Sequence, residues 1–238
     1  MTTTLASPTT TVLTTELPDR GFAPSGLVAG IGGLTFVGTV LVQNALRARF
    51  PANDAAAEEV MRYYADHRGT TLVLAALFAV GSLGIVTFLG GAVARAARGA
   101  RRGLAIAGGV GGAAIFGMFS VMVALDIAIA GYVHRGAPDT SVVEGLWVLH
   151  NSVFGVLLAA IGVTLASLAT ACAACGLLNR NWKAAGIVGG SLLLVGAATT
   201  PAIVDGSPTM FIGVLGFLVW IAFVATASVK MLRSRTTA

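Results

Sequence analysis

The chain has 238 residues, of which 56% are hydrophobic and only 11% charged, and its mean hydropathy is +0.86. Soluble domains carry about 25% charged residues, so the composition excludes an ordinary soluble domain and points to a bundle whose partner is the lipid bilayer. The net charge of +5 comes without a basic patch interleaved with aromatics, which sets nucleic acid aside.

Residues 1–24 are Thr-rich and lack a basic region ahead of an apolar core, so they read as a disordered cytoplasmic tail rather than a secretory signal. Residues 25–233 read as one all-α membrane domain of six transmembrane helices. The first span, 26–46, carries Gly26-xxx-Gly30, ends with Gln43 and Asn44, and is followed by Arg47, Arg49 and the helix-stopping Phe50-Pro51. Asn53 or Asp54 is expected to cap a short helix over Ala55 to Ala65. Its apolar edge of Val60, Tyr63 and Tyr64 reads as lying in the membrane interface, with the tyrosines at headgroup level. The second span, 70–97, exits through Arg95, Arg98, Arg101 and Arg102. The third covers 104–133, the fourth 146–178, the fifth 184–200, closed by Pro201, and the sixth 209–231. A short tail, 234–238, follows.

Six alternating spans separate the charges. One end holds Arg20, Arg95, Arg98, Arg101, Arg102, Arg180, Lys183, Lys230, Arg233 and Arg235. The other holds Arg47, Arg49, Arg62, Arg68 and Arg135, with every acid except Glu16 and Asp19. The positive-inside rule then predicts a bacterial cytoplasmic membrane protein with both termini in the cytoplasm.

The third span contains one acid, Asp126. A charged carboxylate at a helix centre costs roughly 2.5–3.5 kcal/mol on insertion scales. With the helix middle near Met118, Asp126 lies ~12 Å from it, just inside the edge of a hydrocarbon half-thickness of ~15 Å. Gly108 is five turns earlier on the same meridian, and Gly108-xxx-Gly112 has the small-residue spacing of close helix contacts. Asp126 is therefore expected to face the bundle. Gly186-xxx-Gly190 marks a second packing face, and such faces also suit a protein partner or a homo-oligomer. Asp126, His150, Asn151 and Asp205 all fall at the outer end and form the candidate ligand or ion site.

All three histidines, His67, His134 and His150, border different spans at that same end. Histidines there suit a divalent metal or a pH sensor, although no H-x-x-x-H or H-E-x-x-H is present and no cofactor is otherwise evident. Cys172 and Cys175 stand within an apolar helix with no second pair, which favours small core residues over a redox or zinc motif. Gly108–Gly112 follows no strand, so it is no phosphate loop, and neither G-x-S-x-G nor paired acids on one helix appear.

Three stretches carry a family likeness. They are Ala56–Gly69 (AAEEVMRYYADHRG), the arginine-rich turn Arg95–Arg102, and Gly176–Gly190 (GLLNRNWKAAGIVGG), in which Asn179 stands where a proline is usual. In these the chain resembles the six-helix integral membrane proteins of actinobacteria classed as a domain of unknown function. The resemblance implies a membrane address and no known reaction, so no catalytic residue is carried over. A non-catalytic bundle or accessory subunit is the expected function. The alternatives are a small transporter or ion-coupled permease using Asp126, and an outward-facing metal or pH sensor using the histidines.

Overall fold

Apolar runs of this length become helices because a helix satisfies every backbone donor and acceptor within one segment, as hydrocarbon demands. The structure, a computed structural model, describes residues 25–136 and 138–234. Both tails, 1–24 and 235–238, lie outside the described residues, and with them Glu16, Asp19, Arg20 and Arg235. The described residues form α1 (Gly26–Arg47), α2 (Ala57–Asp66), α3 (Arg68–Ala96), α4 (Arg102–His134), α5 (Thr140–Ala174), α6 (Arg180–Ala198), α7 (Thr200–Val204) and α8 (Met210–Arg233). Five of them, α1, α3, α4, α5 and α8, are long and apolar enough to cross a bilayer. Their outward faces carry large apolar side chains such as Leu83, Val110 and Phe211, each more than 60% exposed, as lipid-facing surfaces do.

The six long helices form a closed ring. Each packs mainly on its chain-order neighbours, α1 on α3, α3 on α4, α4 on α5, α5 on α6 and α6 on α8, and α8 returns to α1. Across the middle α5 touches α3 and α8, and it is the most enclosed of the five spans. Alternation of direction puts the C-termini of α1, α4 and α6 at one end with the N-termini of α3, α5 and α8. The short helices α2 and α7 lie at that end too.

Glycine sets the closest approaches. A Cβ on Gly190 would sit 2.7 Å from the Gly162 carbonyl oxygen, and one on Gly162 would sit 2.8 Å from that of Gly190, so α5 and α6 cross backbone to backbone. Gly32 and Gly84 make the same reciprocal contact between α1 and α3. Gly108 lies against Leu168 of α5, Gly112 against Leu89 of α3, and Gly186 against Ala169 of α5. The glycine faces read from the sequence are thus filled by this chain's own helices. Buried hydroxyls in these seams bond back to their own helix: Thr164 donates to the Ala160 carbonyl at 2.8 Å and Ser228 to that of Val224 at 2.7 Å.

Several boundaries differ from the sequence reading. The fourth span begins at Thr140 rather than 146, because Asp139 caps it by accepting from the Ser141 amide at 2.8 Å. It ends at Ala174, and Cys175 caps it, so only Cys172 is helical. Gly176 then takes φ +75°, the left-handed turn that lets Leu177 donate back to the Cys172 carbonyl at 3.0 Å. Pro201, expected to close the fifth span, instead opens α7, where its missing N–H has no helical partner to lose. The short helix α2 starts at Ala57 with Ala56 as its cap, so neither Asn53 nor Asp54 caps it.

The apolar core has two parts. The larger runs through the ring, and the smaller gathers Val60, Tyr63 and Tyr64 of α2 with Ile129 and Ala130 of α4 and Val143 and Trp147 of α5. The apolar edge of α2 therefore faces protein. Its tyrosines, 8% and 1% exposed, are buried rather than anchored among lipid headgroups. An amphipathic face records that something apolar covers it, but lipid and protein satisfy it equally.

Candidate functional site

A polar layer separates the two apolar clusters. On α4, Asp126 stands between Met122 of the larger cluster and Ile129 of the smaller. On α5, His150 and Asn151 stand between Leu157 and Trp147, and on α1, Gln43 follows Val40. All four polar residues are at most 4% exposed.

Asp126 is the centre of this layer. Its Oδ2 accepts from Arg47 Nη2 at 2.6 Å and its Oδ1 from the Tyr64 hydroxyl at 2.6 Å, both short, charge-assisted contacts. His150 Nε2 lies 3.3 Å from Oδ1, within ion-pair reach, yet its direction makes no hydrogen bond. One carboxylate thus binds α1, α2 and α4 together and touches α5. Arg47 occupies the last turn of α1, where the helix dipole favours a cation, and its guanidinium covers the Phe50 ring at 4.9 Å. Burial pushes the Tyr64 hydroxyl far above its ordinary range, and the neighbouring carboxylate pushes it further, so it remains a donor.

That shift has a sign. A tyrosine whose folded value is raised stabilises the fold fully below its unfolded value near 10, and the contribution is lost as pH rises beyond it. The melting temperature of the solubilised protein is expected to fall above about pH 10, less steeply in Tyr64→Phe. Equal slopes in a pH series of melting curves would remove Tyr64 from the account.

The rest of the layer anchors the loop ahead of α2. Asn151 Nδ2 donates to the Asn53 carbonyl at 3.0 Å and Trp147 Nε1 to the Ala52 carbonyl at 3.2 Å. The His150 ring stacks on Trp147, with centroids 5.1 Å apart and 4° between planes, and its Nδ1 is 3.4 Å from Asn151 Oδ1. Gln43 Nε2 reaches the Leu74 carbonyl of α3 at 3.4 Å.

Of the four residues read as a ligand or ion site, Asp126, His150 and Asn151 come together. Asp205 does not: it is exposed at the end of α7. The three histidines do not converge either. His67 stacks on Tyr63 at 4.4 Å between α2 and α3, His134 is exposed at the end of α4, and only His150 enters the layer. Among the described residues no group of three or more His, Cys, Asp or Glu is placed to hold a metal ion. The sequence reading missed Arg47, Tyr64 and Trp147. Arg47 carried the one available signal, since a lone acid inside the edge of hydrocarbon calls for a cation ending another span at the same depth.

Comparison with protein-family models, curated proteins and solved structures finds no match for this chain. Its site is therefore read from its own geometry: a buried ion pair that ties a short covering helix to a ring of apolar helices.

Proposed function

We propose that this chain is a non-catalytic integral membrane bundle, an accessory subunit of the bacterial cytoplasmic membrane with both termini in the cytoplasm. One observation carries the reading. Asp126, the one acid buried among the apolar helices of the described residues, has both oxygens engaged by Arg47 and Tyr64 of the same chain, an arrangement that locks helices. In this reading α6 is the sixth span: its 19 residues extend ~28 Å, close to the hydrocarbon thickness, with Arg180 and Lys183 at its basic end. The orientation follows from charge. Among described residues Arg95, Arg98, Arg101, Arg102, Arg180, Lys183, Lys230 and Arg233 share the end opposite Asp126, and all eight described acids lie at the Asp126 end.

The test has two arms on the full chain. Reporter fusions at Arg101 and Pro138 are expected to read cytoplasm and exterior, and the reverse pattern defeats the orientation. Native mass spectrometry after gentle extraction from the host is expected to show a reproducible partner subunit; a bare chain with ion flux in vesicles would defeat the accessory reading.

A further inference from the structure

The hydrogen bonds around His150 do not balance without one more proton. The Asn53 carbonyl can only accept, so it fixes the Asn151 amide with Nδ2 toward it. Asn151 Oδ1 then faces His150 Nδ1, and an acceptor there requires a hydrogen on Nδ1. In the neutral ring Nε2 is consequently a lone pair, held 3.3 Å from a carboxylate oxygen with no other partner. The stack on Trp147 keeps the ring in that plane. Two acceptors this close in a buried site repel, whereas a proton on Nε2 makes the same pair an ion pair.

We infer that His150 Nε2 and Asp126 Oδ1 form a site for a single proton, and that occupancy of this site latches α2 over the end of the bundle. The proton draws Oδ1 to the place where the Tyr64 hydroxyl of α2 reaches it, and it preserves the Asn151 bond to the loop ahead of α2. Release of the proton leaves Oδ1 pushed by a lone pair, and the cover loosens. The site is switchable because neither state is ideal. With neutral His150 the charges of Arg47 and Asp126 cancel, and with the proton bound the layer carries one excess positive charge.

The surroundings of His150 offer few competing groups. Asp126 faces it from α4 and Tyr64 from α2, with Tyr63 beside Tyr64, and Arg47 of α1 acts on it through Asp126. On α5 itself Glu144 is exposed. At this end α6 and α8 carry no titratable residue, α7 is followed only by exposed Asp205, and α3 begins with exposed Arg68. The inference depends on neither the sixth span nor the orientation proposed above.

Two readouts on the full chain in nanodiscs test it. In ring-15N histidine spectra followed from pH 8 to pH 5.5, the neutral His150 ring is expected to carry hydrogen on Nδ1 alone and the protonated ring on both nitrogens, with His67→Gln and His134→Gln identifying its signals. Over the same interval, exchange of the α2 amides, corrected for its intrinsic pH dependence, is expected to slow as pH falls. One coupled proton sets the limit at about tenfold per pH unit. His150→Gln keeps a neutral group with a donor near Asp126 and is expected to abolish that dependence. Hydrogen on Nε2 alone at pH 8 overturns the proposal, as does an undiminished α2 response in His150→Gln. Should His150→Gln fail to fold, the wild-type spectra decide alone.

Discussion

Arg47→Ala is expected to lower the unfolding free energy of the solubilised protein by about 3 kcal/mol, the lower end of the 3–5 kcal/mol range for breaking a buried pair. The lower end applies because 18% of the Arg47 side chain remains exposed, against 2% for Asp126. The loss reflects the charge left behind more than the bond removed, since Asp126 would keep only the Tyr64 hydroxyl and the neighbouring His150 ring. A second substitution separates these effects. In Arg47→Leu/Asp126→Asn no net charge is buried and the amide oxygen still accepts from Tyr64, so the double variant is expected to be more stable than Arg47→Leu alone. Chemical or thermal unfolding of the singles and the double checks this, and simple additivity would show that the two side chains do not act as a pair.

The second large effect is steric. Gly190→Ala places a methyl 2.7 Å from the Gly162 carbonyl oxygen, and backbone cannot swing aside as a leucine side chain can. Overpacking of this kind costs about 1–3 kcal/mol, and α5 and α6 must separate to relieve it. Gly117→Ala is the contrast: nothing lies within 4 Å of its Cβ, and alanine in a helix gains about 0.5–1 kcal/mol over glycine. Melting curves of the two variants should move in opposite directions. A shared direction would mean that the α5–α6 crossing is looser than its glycines imply.

These variants also show which parts of the fold were written legibly in the chain. Helix positions were legible because lipid-facing runs must be apolar over a full bilayer thickness, and five of the six expected spans meet that measure as helices. The inward direction of Asp126 was legible as well, since Gly108 and Asp126 share a meridian and the glycine side is the packed side. Its partners were not. Arg47 looked like one of several charges leaving a span, because sequence spacing carries no information on which helix ends meet. The α1–α3–α4 order of the ring brings Arg47 and Asp126 together across 79 residues. Tyr64 was misplaced for a different reason: amphipathicity gives a buried edge and says nothing of what buries it. The histidines shared an end of the molecule, and a common end is far coarser than the few ångströms that coordination needs.

The sequence distance between these partners has a consequence for assembly. Arg47 leaves the ribosome 79 residues before Asp126, and Tyr64 leaves 62 residues before it. Through that interval the buried carboxylate that Arg47 meets in the finished fold is not yet made, and only the exposed acids Asp54, Glu58, Glu59 and Asp66 stand near it in the chain. Only when α4 arrives can Arg47 be drawn in and α2 dock, and Trp147 and His150 of α5 then complete the cover before α6 and α8 close the ring. The buried pair therefore times construction as well as joining helices: it keeps the covering helix from settling until the third long segment is in place.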